Sequence, residues 1–494
     1  MDCHRGGDTQ HALEIYQKVL VRDPENACAL HFLALIEHRS GRSASAVELL
    51  RRCVRNAPHA AEFYNNLAEA LKATGDLESA IECYRKALEI QPDYVIGYNN
   101  LGAALVKRGW IDEAIALYEK ATRLFPDKPE PHWNLGLALL LNGDFANGWK
   151  EYEWRWRCKD FPSPRRDFPQ PQWDGSDLTG RTLLLHAEQG LGDAIQFLRY
   201  VPMAAERCGG RVVLEVPACL KGLARTVGGA SLLVETGTAL PQFDAHLPLM
   251  SLPLIFGTTE RTIPAEVPYL FVDPRRVAAW SARLATDRRL RIGLAWAGSP
   301  KHNNDRNRSC PLAALSRLAG VFGVSWHSLQ KGDAADRCSA APEGMNLIDH
   351  SNDLNDFADT AALIANLDLV ISVDTSVAHL AGAIGKPVWI MLPAAPDWRW
   401  MLARGDSPWY PSARLFRQAA AGEWASVDAA AAEALGNLLS ERRRKRVRRG
   451  SVLAPFVPHP GQVGRKGKRE PRPSGRGYHH SQLSPEGSAT PERP

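Results

Sequence analysis

Residues 64–92 read YNNLAEALKATGDLESAIECYRKALEIQP, and residues 98–126 read YNNLGAALVKRGWIDEAIALYEKATRLFP. Tyr64, Leu67, Ala68, Leu71, Ala80, Tyr84, Ala87 and Pro92 return 34 positions later as Tyr98, Leu101, Gly102, Leu105, Ala114, Tyr118, Ala121 and Pro126. Large residues at i, i+3 and i+7 make one apolar face of a first helix. The Gly75-Asp76 and Gly109-Trp110 steps break it, small Ala80 and Ala114 admit a second helix at close range, and Pro92 and Pro126 stop that second helix. A unit of this kind cannot bury its face alone, so units stack.

The register extends both ways. Leu30, Leu33, Ala34, Ala46, Leu50, Cys53 and Pro58 form a weaker unit upstream, and Leu135, Gly136, Leu139, Gly148 and Tyr152 form a last one downstream. These positions resemble the tetratricopeptide (TPR) signature, which predicts an α-helical TPR solenoid over residues 1–148. Gly7-Asp8, Ala12, Tyr16, Val19 and Pro24 match only a second helix. The chain therefore begins inside a repeat, either as a half-unit cap or because its start is placed late. Asn66, Asn100 and Asn134 recur on first helices. They are candidates to bond the backbone of an extended acceptor in the repeat groove, as in the TPR-bearing protein O-GlcNAc transferases that this arrangement resembles, or to tie neighbouring repeats together.

Residues 149–180 are rich in Trp and Pro, an extended linker that the aromatics should paste onto a domain. From Arg181 the period changes to short buried strands alternating with helices, the pattern of a parallel, doubly wound sheet. A first lobe spans 181–257, an inter-lobe segment 258–290, and a second lobe 291–440. The first strand, Thr182–His186, runs into Gly190-Leu191-Gly192-Asp193. Gly190 and Gly192 permit a tight turn, and Asp193 stands where open α/β sheets place ligands. No full G-x-G-x-x-G and no Walker lysine occur, which argues against a dinucleotide or ATP site. In the second lobe the strand Leu369–Val373 runs into Asp374-Thr375-Ser376 and the helix bearing His379.

Asp374-Thr375, His379, Ala381, Ala383 and Pro387 resemble the D-T/S-x-x-x-H-x-A-x-A…P segment of the heptosyltransferases, glycosyltransferase family nine. Gly192-Asp193…Pro202 is similar to that family's first-lobe element, with two extra residues before the proline. The resemblance covers about half the chain. It implies a GT-B fold of two facing Rossmann-like lobes, with Asp193 as general base and His379 at the cleft. It also implies a nucleotide-sugar donor held mainly by the second lobe, as substrate with no further cofactor. Donor candidates are Thr375 and Ser376 hydroxyls and amides, Asp374 bracing the loop, Lys301, Arg306 and Arg308 after a strand end, and Gln330 and Lys331 after the next. Ser376 replaces the family's glycine, which puts donor choice in question. No D-x-D triplet occurs, so no metal site is indicated.

Composition narrows the partners. Residues 441–494 carry 14 Lys/Arg against 4 Asp/Glu, leaving the body with 46 against 51. The folded body is mildly acidic, so the net charge of +5 is no argument for nucleic-acid binding. The tail reads as a disordered basic extension. Nine scattered cysteines without a C-x-x-C pair point to a reducing compartment, and no apolar run approaches a membrane span. The expectation is a cytoplasmic, metal-independent glycosyltransferase whose repeats hold a protein or glycan acceptor. The alternative is a catalytically degenerate GT-B/TPR scaffold for protein–protein contacts.

Overall fold

The computed structural model describes residues 9–302 and 304–451. Residues up to Glu441 form one compact unit, and residues from Arg442 another.

Helices run over Thr9–Arg22, Ala27–Arg39, Ser43–Asn56, Ala61–Thr74, Leu77–Ile90, Val95–Arg108, Ile111–Leu124, Pro129–Asn142 and Phe145–Tyr152. The 34-residue punctuation is physical. Gly75, Gly109 and Gly143 each end a first helix in the left-handed conformation, at φ 94°, 88° and 89°. Asp76 and Asp144 then cap the second helices, accepting from the amides of Ser79 and Asn147 at 3.2 Å. Gly136 cannot be anything larger, since a Cβ there would lie 2.7 Å from the backbone nitrogen of Tyr152. Gly7-Asp8, part of the partial first repeat, lies outside the described residues.

The last repeat does not stand apart from the α/β region. Leu140, Leu141, Phe145 and Trp149 share one continuous hydrophobic core with Leu183 and Leu185 of the first sheet and Trp398 and Trp409 beyond the second. Trp149 Nε1 donates to the carbonyl of Thr258 at 3.1 Å. The linker also adheres to the first sheet: Trp173 is buried, and Gln172 bridges His246 in parallel.

The α/β region holds two wholly parallel sheets. In the first, β1 (Thr182–His186), β2 (Arg211–Val216), β3 (Leu232–Glu235) and β4 (Ala245–Pro248) take the order β3-β2-β1-β4. The second contains β5 (Leu290–Ala295), β6 (Val324–Ser328), β7 (Leu347–Ile348), β8 (Leu369–Val373), β9 (Val388–Leu392) and β10 (Ala413–Arg417). Its order is β10-β9-β8-β5-β6-β7. Strand order reverses beside β1 in one sheet and between β5 and β8 in the other. Those switch points are where the loops part to leave a crevice. A final helix, Trp424–Ser451, runs into the basic stretch, and the rest of the expected disordered tail, 452–494, lies outside the described residues. No helix among the described residues is long and apolar enough to cross a membrane.

Candidate functional site

The helix Leu191–Phe197 after β1 packs on the helix Ser376–Ala383 after β8. The contact is close because Gly192 has no side chain: a Cβ there would sit 2.8 Å from His379 Cδ2 and 3.5 Å from Ser376 Cα. Gly192, expected as a loop glycine at the turn, is required here by the approach of two helices from different sheets.

Asp193 lies at the mouth of this contact. Its Oδ2 accepts the Gly190 amide at 2.7 Å, the reach-back of a third helical residue to the helix start. Its Oδ1 accepts from Arg399 Nη2. Arg399 is buried and also donates from Nη1 to Asp397 Oδ1 at 2.8 Å and from Nε to Gln196 Oε1 at 2.7 Å. Burial opposes its charge, but the Asp397 and Asp193 carboxylates outweigh that and raise its pKa. A fork-shaped guanidinium thus joins the first sheet's helix to the second sheet's loop.

In the second loop, Thr375 rather than Asp374 caps the helix, its Oγ1 accepting the Val377 amide at 3.3 Å. Asp374 is buried, 3.9 Å from His379 Nε2 through its Oδ1. Burial first, and the Asp397 carboxylate second, push its pKa up to about 6 against the pull of Arg308 and Arg399. His379 does not open to solvent. It is 4% exposed, its Nδ1 lies 2.9 Å from Tyr410 Oη, and Trp400 stacks on it. Burial and the Arg399, Arg199 and Arg308 guanidiniums hold it well below the ordinary imidazole range, so it stays neutral.

Among the basic candidates the structure brings Arg308 to the site. Its Nη1 donates to the Asp374 carbonyl at 3.1 Å and its Nε to Asp305 Oδ1 at 3.3 Å. Lys301 and Arg306, on the same β5-end loop, are exposed and their charged ends meet no carboxylate among the described residues. Gln330 departs from the expectation. Its Oε1 accepts the amides of Trp296 and Ala297 at 3.1 Å each, and its Nε2 donates to the Ala297 carbonyl at 3.0 Å. Both ends of the amide clamp the backbone that carries the basic loop. Lys331 Nζ donates to the Ser351 carbonyl at 2.7 Å.

The repeat asparagines are likewise engaged with side chains of the preceding repeat. Asn66 Nδ2 lies 2.7 Å from His31 Nε2, Asn100 Nδ2 donates to Asn65 Oδ1 at 2.9 Å, and Asn134 Nδ2 donates to Asn99 Oδ1 at 3.3 Å. Each bond spans 35 residues, so the amides stitch one repeat to the one before it.

Sequence reasoning passed over Asp397 and Arg399. It also passed over Arg155. Arg155 is 0% exposed and grips Glu188 through Nε at 3.1 Å and Nη2 at 2.8 Å. A signal was present. Position 155 continues the series Ala87, Ala121, and a charged residue in a methyl-sized buried slot demands a partner.

Comparison with known proteins finds family profiles in two parts of the chain. TPR profiles match residues 69–109, 104–143 and 5–60. The profile of glycosyltransferase family 9 (heptosyltransferase) matches residues 354–396, which hold Asp374, Thr375, Ser376 and His379. Protein FlbA of Caulobacter vibrioides is 31% identical over 309 residues, 57% of this chain and 51% of FlbA, so the chain spans about half the length of that relative. Among solved structures, MamA is 27% identical over 31% of this chain and 90% of MamA, with a TM-score of 0.29. YrrB, described as a TPR protein with an unusual peptide-binding site, is 16% identical over 31% of this chain and 78% of YrrB, at 0.28. The chain carries TPR repeats fused to a glycosyltransferase-family-9-like α/β unit.

Proposed function

We propose that this chain is a GT-B glycosyltransferase that moves a sugar from a nucleotide-sugar donor to a macromolecular acceptor delivered by the repeats. One observation carries the reading. The helices that follow β1 and β8 pack on each other, and beside that contact Arg399 holds Asp193 and Arg308 holds the Asp374 carbonyl. In this reading an acceptor hydroxyl oxygen attacks the anomeric carbon as the carbon–oxygen bond to the diphosphate breaks. Asp193 takes the hydroxyl proton, and the nucleoside diphosphate leaves with its charge. Arg308, at the start of the helix Ser376–Ala383, is placed to counter that charge, with Lys301 and Arg306 as exposed cations on the same loop. Thr375 is engaged as the helix cap and takes the Val377, Ala378 and His379 amides, so in the second loop the Ser376 hydroxyl and amide remain for phosphate.

Each Asp193 oxygen already accepts one hydrogen bond, from Gly190 or from Arg399, which leaves a lone pair on each for the acceptor proton. That same engagement of both Asp193 oxygens supports a second reading, in which the unit is a catalytically degenerate scaffold. A thermal-shift series with UDP-, GDP-, ADP- and CMP-sugars separates them, since a ligand that binds only the folded state raises its melting temperature. A selective shift is expected. Asp193→Asn should keep that shift and lose turnover by about 10²-fold or more. No shift with any donor favours the scaffold.

A further inference from the structure

We propose that Tyr152 and Arg155, at the end of the repeat array, are positioning residues for Asp193, so that array and catalytic loop move as one element. The proposal deepens the transferase reading and rests on it for the word catalytic.

The 34-residue register supplies its own control. Tyr84, Tyr118 and Tyr152 fill one buried site in successive units. Tyr84 Oη donates to Glu69, and Tyr118 Oη to the Asn99 carbonyl at 3.4 Å, both within the solenoid. Tyr152 Oη instead accepts from Gln189 Nε2 at 2.7 Å. Three residues further along, Ala87 and Ala121 give way to Arg155. Its guanidinium reaches both oxygens of Glu188 and also Glu153 Oε1 at 2.6 Å and Ser251 Oγ at 2.8 Å. Such a fork fixes the plane of the Glu188 carboxylate as well as its position. The last repeat therefore turns the two side chains that elsewhere serve the solenoid onto two consecutive residues of the β1 loop.

Those two residues lead straight into the base. Gln189 has a φ of 58°, in the left-handed region that residues with a Cβ seldom adopt. Gln189 is exposed, so core packing does not impose this conformation. What holds it is the Tyr152 bond and a second one, from the Gln189 amide to Ser163 Oγ of the linker at 2.7 Å. A strained residue persists only where its surroundings over-determine it. The next amide, Gly190, is the one that Asp193 Oδ2 accepts. Orientation thus passes from Arg155 to Glu188, from Tyr152 to Gln189, and through Gly190 to the Asp193 carboxylate. A load on the repeats that shifts the last turn shifts the base with it.

The test uses the full chain and Tyr152→Phe, which deletes one hydroxyl and keeps the ring, beside Tyr84→Phe, the same deletion at an equivalent site. Two readouts are taken: hydrogen exchange of the Gln189 and Gly190 amides, and turnover alongside binding of UDP, GDP and ADP. Tyr152→Phe should speed exchange in the loop and lower kcat by about 10- to 10²-fold, the scale of a small misplacement of a reacting group. Nucleoside diphosphate affinity should stay as in the wild type, and Tyr84→Phe should leave loop exchange and kcat alone. Gln189→Gly, which tolerates a positive φ but lacks the amide, should reproduce the loss. Combined with Tyr152→Phe it should add little, because the two act through one bond. Unchanged loop exchange in Tyr152→Phe, or equal effects from Tyr84→Phe, overturns the proposal. Faster loop exchange in a protein whose wild type turns over no nucleotide sugar supports the mechanical link and sinks the transferase reading instead.

Discussion

The loop after β1 and the loop after β8 do the same geometric job by opposite means. Asp374-Thr375-Ser376 is held mostly from within: Thr375 caps its own helix, Ser372 Oγ lies 3.3 Å from Thr375 Oγ1 within the same segment, and from outside Arg308 reaches the Asp374 carbonyl. Ala187–Asp193 is held from outside, by Arg155 and Tyr152 of the last repeat, by Ser163 of the linker and by Arg399 from the second sheet's side. A loop built from neighbours in sequence resists local damage and reads plainly in the sequence. A loop built from distant elements couples those elements to one another.

The largest expected break in this contrast is Arg155→Ala. It leaves Glu188, buried among Arg155's former contacts, as an uncompensated charge, a loss of about 3–5 kcal/mol. Urea unfolding should register it as a lower midpoint. A loss under about 1 kcal/mol would mean that the β1 loop is as self-sufficient as the other.

The second test concerns the β8 loop and has a sign. Folding raises the Asp374 pKa from the ordinary carboxylate range to about 6, so the folded state holds this proton more tightly than the unfolded chain. The stabilisation that comes with the bound proton is complete below about pH 4 and is lost as pH rises through about 6. Asp374→Asn should therefore melt like the wild type near pH 4 and above it at about pH 7.5. A difference that does not grow with pH would show that Arg308 and Arg399 offset the burial of this carboxylate in full.

Smallest is Thr375→Ala, which removes one helix cap and should cost about 1 kcal/mol. Its effect should stay within the second sheet's loop, leaving hydrogen exchange at Gln189 and Gly190 as in the wild type. Spread into the first loop would erase the contrast.

The same contrast explains how much of the molecule is legible in its sequence. The 34-residue repeat, the change of period at Arg181 and the parallel strands all rest on residues close in sequence, whose periodicity carries the physics. Thr375 as a helix start and Asp193 at a strand end are readable for the same reason. Arg399 meets Asp193 across 206 residues, and no periodicity announces such a pair. Gly192 looks like a loop glycine because the sequence does not reveal that His379 is pressed against it. Gln330 stands where a ligand contact is expected, but its two-ended amide also suits backbone clamping, and only the neighbouring strand end at Trp296 decides between them. The repeat asparagines pose a similar ambiguity, and the 35-residue spacing of their bonds resolves their amide donors toward stitching.

Trp149 and Phe145 have a consequence for anyone who would recombine this protein. They belong by register to the repeats and by burial to the α/β core, so a splice at the apparent end of the array would cut through a wall shared by both rooms. A foreign array grafted there would meet Thr258 and Trp398 with the wrong side chains. The serviceable seam lies at Pro92, between two units of which the upstream one, among the described residues, contributes nothing to the shared core. Upstream of it the array can be lengthened, shortened or exchanged, while the last two repeats must travel with the α/β unit as part of its inheritance.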